Sequence, residues 1–340
     1  MLQWLLILSF TMGGSSPTIA SSTSEGPTSP SESEFLWKAG QDEALSGKYQ
    51  DAAFHLARLV DRYPGHSAYL KAHFLLGRTL VELGRPKEAV KPLKYYINDS
   101  GKSSGGVDGR IWLGRAYLDS KNFHEAFLIA KEVENLKSQA DPSSQAEALV
   151  IKARAQVGLN QDGKASQTLD SAKKLIQESV STVMATAQWT DLQIKTRTCS
   201  KLASVGPLDE SQLRDQLERR GNCILEALIL FKKTAEAQDP KWSEKARLVT
   251  WEAFESYSKA CEKPLIPKAT RPKNRTKTQL AKYQKELTAF LIQDCQSKYD
   301  GALDLLHSWK PVFPAGSAEA LSQLTGSVEK LSKKNYDGTH

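Results

Sequence analysis

The feature that most constrains this chain is an internal repeat in its first half. Gly40, Gly77 and Gly114 follow one another at intervals of 37 and 37 residues, and Ala52, Ala89 and Ala126 keep the same two intervals. Each Gly stands 12 residues before its Ala, and a fourth copy, Ala153 with Ala165, keeps the 12 and falls 39 residues after the third. Self-similarity at such a period marks stacked supersecondary units, none of which can bury its apolar face alone. Within each copy, apolar residues recur at spacings of three and four, the stripe of a helix packed on one side. Turn signals separate the two stripes of each copy: Ser46-Gly47, Leu83-Gly84, Ser120-Lys121-Asn122 and Gly158-Leu159-Asn160. Two antiparallel helices approach closely only where a side chain is small. Gly40, Gly77, Gly114 and Ala153 are therefore expected where the helices of each copy cross.

The residues around these pairs resemble the tetratricopeptide repeat (TPR). The first copy carries Leu36, Gly40, Ala52, Leu56, Leu59 and Pro64, and the second Leu76, Gly77, Leu80, Ala89, Leu93 and Tyr96. The third carries Leu113, Gly114, Tyr117, Ala126, Ala130 and Val133, and the fourth Leu149, Ala153, Ala165, Leu169 and Ala172. The resemblance implies an all-α, right-handed helical solenoid over residues 35–179, built from four helical hairpins. The period is a few residues longer than is usual for such repeats. Longer helices or connections absorb the excess, and the Ser100–Gly106 stretch reads as one such connection.

Residues 180–340 also read as helix, with a weaker repeat signal. Helices are predicted near 181–203, 209–238, 241–262, 276–309 and 317–333. Ala227 and Phe231 look like a degenerate second helix of a hairpin. Residues 180–309 are either two worn repeats or an unrelated helical cap, and solenoids need atypical ends because their last unit has no neighbour. All four cysteines lie here: Cys199, Cys223, Cys261 and Cys295. Two disulfides and four buried thiols both fit this count. If bridges form, the predicted antiparallel helices 209–238 and 241–262 favour Cys223 with Cys261.

The chain opens on the apolar run MLQWLLILSFTM, followed by small residues, with Thr18-Ile19-Ala20 resembling a cleavage site. The run is shorter than the about 20 residues that cross a bilayer as a helix. We read residues 1–20 as an export signal, although no Lys or Arg precedes Lys38, and an uncleaved anchor or a misassigned start are the alternatives. Periplasmic or secreted localisation follows from that reading. Residues 21–34 are all Ser, Thr, Pro, Gly or Glu, a composition too polar to offset its ordering entropy. They are expected to be a disordered linker.

The formal net charge of +7 is mostly local. From Lys263 to Lys285 there are eight Lys or Arg and no acid, so the rest of the chain is close to neutral. Lys263, Lys268, Arg271, Lys273, Arg275 and Lys277 form a basic, proline-interrupted loop. Two readings stay open: an electrostatic site for anionic lipid headgroups, an acidic protein or nucleic acid, or a solvated linker between helices. Nucleic acid is the least suitable partner for an exported chain.

No catalytic signature is present. H-E-x-x-H and G-x-S-x-G are absent, and no metal-ligand spacing or cofactor fingerprint occurs. Gly158 to Lys164 matches a phosphate-loop pattern, but Ala165 stands where a Ser or Thr would ligate magnesium, and the segment joins two helices. The chain is therefore expected not to be an enzyme and to carry no cofactor or metal.

In TPR solenoids the first helix of each hairpin lines a concave groove, and the residue after the small one faces into it. The resemblance places Gln41, Arg78, Arg115 and Arg154 there. A row of guanidinium groups suits carboxylates, which Arg holds by paired hydrogen bonds. The implied partner is a protein or peptide, acidic or presenting a C-terminal carboxylate. A plainer reading is also available. Arg78 is four residues before Glu82 and Arg115 four before Asp119, the spacing of ordinary surface ion pairs, although Arg154 has only Gly158 at that offset. The expected function is an interaction scaffold of the cell envelope. A structural or surface-attached helical protein, or a cytosolic adaptor if the leader is no signal, are the alternatives.

Overall fold

The computed structural model describes residues 30–176, 182–202, 210–236, 240–262 and 276–337. The predicted export signal (1–20), residues 21–29 of the predicted linker, and the basic positions 263–275 lie outside the described residues. The described chain forms α1 (Pro30–Leu45), α2 (Tyr49–Arg62), α3 (Tyr69–Glu82), α4 (Pro86–Ser100), α5 (Ser104–Asp119), α6 (Phe123–Asn135) and α7 (Pro142–Gly158). It continues with α8 (Asp162–Leu175), α9 (Thr182–Lys201), α10 (Glu210–Glu236), α11 (Pro240–Glu262), α12 (Lys277–Trp309) and α13 (Ala318–Asp337). No strand occurs among the described residues. The protein is an all-α helical solenoid.

The helices alternate between two layers. α1 packs on α2, α3 on α4, α5 on α6 and α7 on α8, while α1, α3, α5, α7, α9, α11 and α13 each touch the next in that series. α10 packs on α9 and α11, α12 packs mainly on α10 and α13, and α13 closes the stack against α11 and α12. The second half thus keeps the odd-numbered series, with longer helices and a different packing of α12. Its even helices keep the alanine-plus-four pattern: Ala227 with Phe231 and Ala302 with Leu306 are buried, as are Ala52 with Leu56 and Ala89 with Leu93.

The turn inside each of the first four hairpins is set by one left-handed residue. These are Gly47 (φ 74°), Gly84 (φ 78°), Lys121 (φ 62°) and Asn160 (φ 59°), which repeat with the 37, 37 and 39 spacing of the crossing residues. Each reverses the chain at a helix end through paired backbone bonds. Gly84 N–H donates to Val81 O at 3.0 Å and Arg85 N–H to Leu80 O at 2.8 Å. The same pair recurs at Lys121 and Asn122 with Leu118 O and Tyr117 O. This is the helix-terminating geometry that absorbs orphan carbonyls.

The crossings follow from the small residues, with one refinement. A Cβ on Gly77 would lie 2.4 Å from Leu93 Cγ, and one on Gly40 2.7 Å from Leu56 Cγ. The glycine therefore receives the leucine four residues after the repeat alanine, rather than the alanine itself. The third hairpin has Ala130 at that leucine position. There Ile129 and, from the next hairpin, Ile151 fill the space over Gly114, the nearest atom standing 3.0 Å from a Cβ.

Three expectations need correction. α1 begins at Pro30, so residues 30–34 of the expected linker are helical; Glu32 pairs with Arg58 at 2.7 Å and Ser33 is buried. The connection expected over Ser100–Gly106 shrinks to Gly101-Lys102-Ser103, because Ser103 caps α5 by accepting from Gly106 N–H at 3.2 Å. The bridge expected between Cys223 and Cys261 is not formed. Cys199 pairs with Cys223 (Cα–Cα 5.6 Å) and Cys261 with Cys295 (6.1 Å), and all four are buried. The faces on which the cysteines lie decide the pairing: Cys223 points at α9, its Sγ 4.0 Å from Lys195 O and bonded to Cys199, and Cys261 points at α12. Each bridge therefore ties an odd helix to an even one in the divergent half.

Candidate functional site

The odd-numbered layer encloses a groove of about 650 Å³. α3 contributes Val81 and Glu82; α5 contributes Trp112, Arg115 and Asp119; and α7 contributes Glu147, Ile151 and Arg154. α9 adds Val183 and Thr186, and α11 crosses the far side with Lys241, Trp242 and Lys245. The helical period explains the placement. Trp112, Arg115 and Asp119 are three and four residues apart, and Glu147, Ile151 and Arg154 follow the same rule, so each set occupies one face.

The predicted arginine row is brought together in part. Arg115 and Arg154 both line the groove. Arg78 is exposed beside it, its guanidinium 5.3 Å from the Trp112 ring. Gln41, on α1, lies outside the lining. Of the basic loop, Lys277 is the first residue of α12 and is exposed, and the other five positions lie outside the described residues.

The ion pairs differ from the i, i+4 pairs that sequence spacing offered. Arg115 reaches across to Glu147 on α7, and Arg154 reaches back to Asp119 on α5 at 3.7 Å. The two pairs cross the same helix–helix boundary in opposite directions. The Arg115 guanidinium also stacks on Trp112 at 4.3 Å. Arg154 lies over a pair of indoles, 5.4 Å from the Trp189 ring and 5.6 Å from Trp242. The two rings are 5.2 Å apart, and the Lys245 ammonium approaches the same pair, 5.6 Å from Trp189 and 4.4 Å from Trp242. Such cation–aromatic stacking fixes the orientation of a guanidinium without consuming its hydrogen-bond donors.

Burial shapes the charges. It pushes the Glu147 carboxyl above its ordinary value; Arg115 opposes this, and Asp108 and Asp141 add to it. Burial likewise pulls the Arg154 guanidinium down, Asp119 works against that, and Arg115 adds to the lowering. A guanidinium stays charged regardless.

Sequence reasoning missed the tryptophans, Glu147 and the α11 lysines. Trp112 was signalled by its three-residue spacing from Arg115. Trp189, Trp242, Lys241 and Lys245 carried no such signal, because the divergent half offers no repeat register against which to place them. Among the described residues, no cluster of side chains could hold a metal ion and no helix is long and apolar enough to cross a membrane.

No family model matches the chain, and no curated protein matches it. Among solved structures, the chain is similar to a tetratricopeptide repeat protein from Parabacteroides merdae. That similarity has 14% identity and a TM-score of 0.41 over 88% of this chain and 99% of the other.

Proposed function

We propose that this protein is a non-enzymatic interaction scaffold that holds a protein or peptide partner in the groove of its odd-numbered helices. One observation carries the reading. α5 and α7, from neighbouring hairpins, and α11, from the distant second half, converge to line one concave cavity with Trp112, Arg115, Arg154, Trp242 and Lys245. Tryptophan and arginine are the residue types that dominate binding energy at protein interfaces. The two arginines suit carboxylates, so the partner presents an acidic segment or a chain terminus there. The partner is met outside the cytoplasm. Two buried disulfides support that part of the reading, since such bridges persist in oxidising compartments.

The test is recovery of partners from native cells by crosslinking and pull-down, followed by titration of the recovered partner against wild type and the Arg115→Gln/Arg154→Gln double variant. Each lost charge-assisted contact costs about 1.5–3 kcal/mol, so affinity should fall roughly a hundredfold or more. The melting curve is the control, because both arginines are half-buried and paired, and some loss of stability accompanies the change. Unchanged affinity in a folded double variant rules the groove out as the binding site.

A further inference from the structure

The arginines of the groove are not equally engaged. Arg115 forms a close pair with Glu147, whose side chain is only 17% exposed. Arg154 meets Asp119 at 3.7 Å, a loose contact, and the Asp119 side chain is 44% exposed. Yet Arg154 is the better seated of the two. Its own side chain is 16% exposed, and it lies against the Trp189 and Trp242 rings, with Lys245 against the same pair. A guanidinium carries five N–H donors. The long contact to Asp119 leaves donors of Arg154 open to a better-placed acceptor. The buried Trp189 indole N–H beside it makes no hydrogen bond among the described residues.

This geometry differs from that of a structural staple, in which the charged partners close to hydrogen-bond distance, as Lys152 does on Glu134 at 2.8 Å and Lys173 on Asp191 at 2.6 Å. A buried cation packed on two indoles and opposed by a loose, solvated carboxylate is the arrangement of a site with a resident competitor. We propose that Arg154, packed against the Trp189–Trp242 pair, is the anion-recognition point of the groove, and that Asp119 is an autoinhibitory carboxylate that an acidic side chain of the partner displaces. The inference rests on the groove being the binding site and goes on to name the chemistry and its built-in brake. It also gives the divergent half a role: α9 and α11 supply the two indoles that aim Arg154.

The experiment titrates an octaglutamate peptide, with octalysine as control, by tryptophan fluorescence and calorimetry. The proteins are the full-length chain and its variants Asp119→Asn, Asp119→Ala, Arg154→Gln, Asp119→Asn/Arg154→Gln and Glu125→Gln. Glu125 is exposed on α6 and is not part of the groove lining, so its variant changes net charge by the same amount without touching the site. Freeing Arg154 from a weak pair should tighten octaglutamate binding roughly two- to fivefold in both Asp119 variants. Glu125→Gln should give no comparable gain, Arg154→Gln should lose binding, and the double variant should show no gain over Arg154→Gln. An Asp119 variant that folds but binds octaglutamate no tighter than wild type overturns the proposal. So does a gain that persists without Arg154, or one matched by Glu125→Gln. Should octaglutamate bind no variant while the recovered partner still depends on Arg115 and Arg154, the acidic-ligand inference falls and the scaffold reading stands.

Discussion

At the scale of single residues, the hairpin turns show how one dihedral angle recurs along the chain. Positions 47, 84, 121 and 160 all adopt the left-handed conformation, but only the first two are glycine. Lys121 adopts it against the clash between its Cβ and the following carbonyl. Replacing Lys121 by Gly should therefore raise stability by about 0.5–1 kcal/mol, while Gly84→Ala should lower it by about as much. Chemical denaturation of the two variants checks the opposite signs. If Lys121→Gly is destabilising, the left-handed turn is misplaced. The turn residues were visible in the sequence as punctuation. Their shared conformation at Lys121 was not, because lysine carries no preference that announces it.

At the scale of helices, the crossing residues decide how closely the two layers approach. A Cβ at Gly77 would overlap Leu93, whereas one at Gly114 would only crowd Ile151 and Ile129 by a few tenths of an ångström. Gly77→Ala should cost about 1–3 kcal/mol, as overpacking does, and Gly114→Ala clearly less. Thermal melts in parallel test this ranking, and equal losses would show that both crossings have the same spacing. The difference traces to Ala130. Where the leucine of the repeat becomes alanine, the space over the glycine is shared with the next hairpin, and the crossing loosens. That substitution is legible in the sequence. Its consequence for Gly114 needs Ile151, which belongs to another hairpin.

At the scale of the molecule, the core is divided. One apolar cluster runs from α1 to α7, a second from α9 to α13, and a smaller one that includes Val150, Ala153, Leu169 and Ala187 lies between them on α7, α8 and α9, while Leu217, Leu287 and Leu291 form a small separate cluster between α10 and α12. Both disulfides lie in the second part and close loops of 24 and 34 residues. Bridges over loops of this length contribute about 3–4 kcal/mol each through the unfolded chain. The Cys199→Ser/Cys223→Ser variant should thus lose amide-exchange protection in α9 to α13 first, with α1 to α7 holding. Loss spread evenly over the whole chain would indicate a single cooperative unit. Since α9 and α11 carry the indoles that seat Arg154, the same variant should weaken the groove as well.

By itself the sequence determined the helical hairpins of the first half, the residues at which they cross and turn, and the extents of the five helices in the second half. These depend on local periodicity and on small or turn-forming residues at fixed offsets, and both are written in neighbouring positions. It also singled out Arg115 and Arg154 from their register. Only the tertiary structure decided what those arginines meet. Their carboxylates lie on the adjacent hairpin, and the tryptophans around Arg154 come from α9 and α11. The cysteine pairing was settled in the same way. Which partner a residue meets across a helix boundary depends on the rotation of each helix about its axis, and that rotation is set by the packing of its whole apolar face.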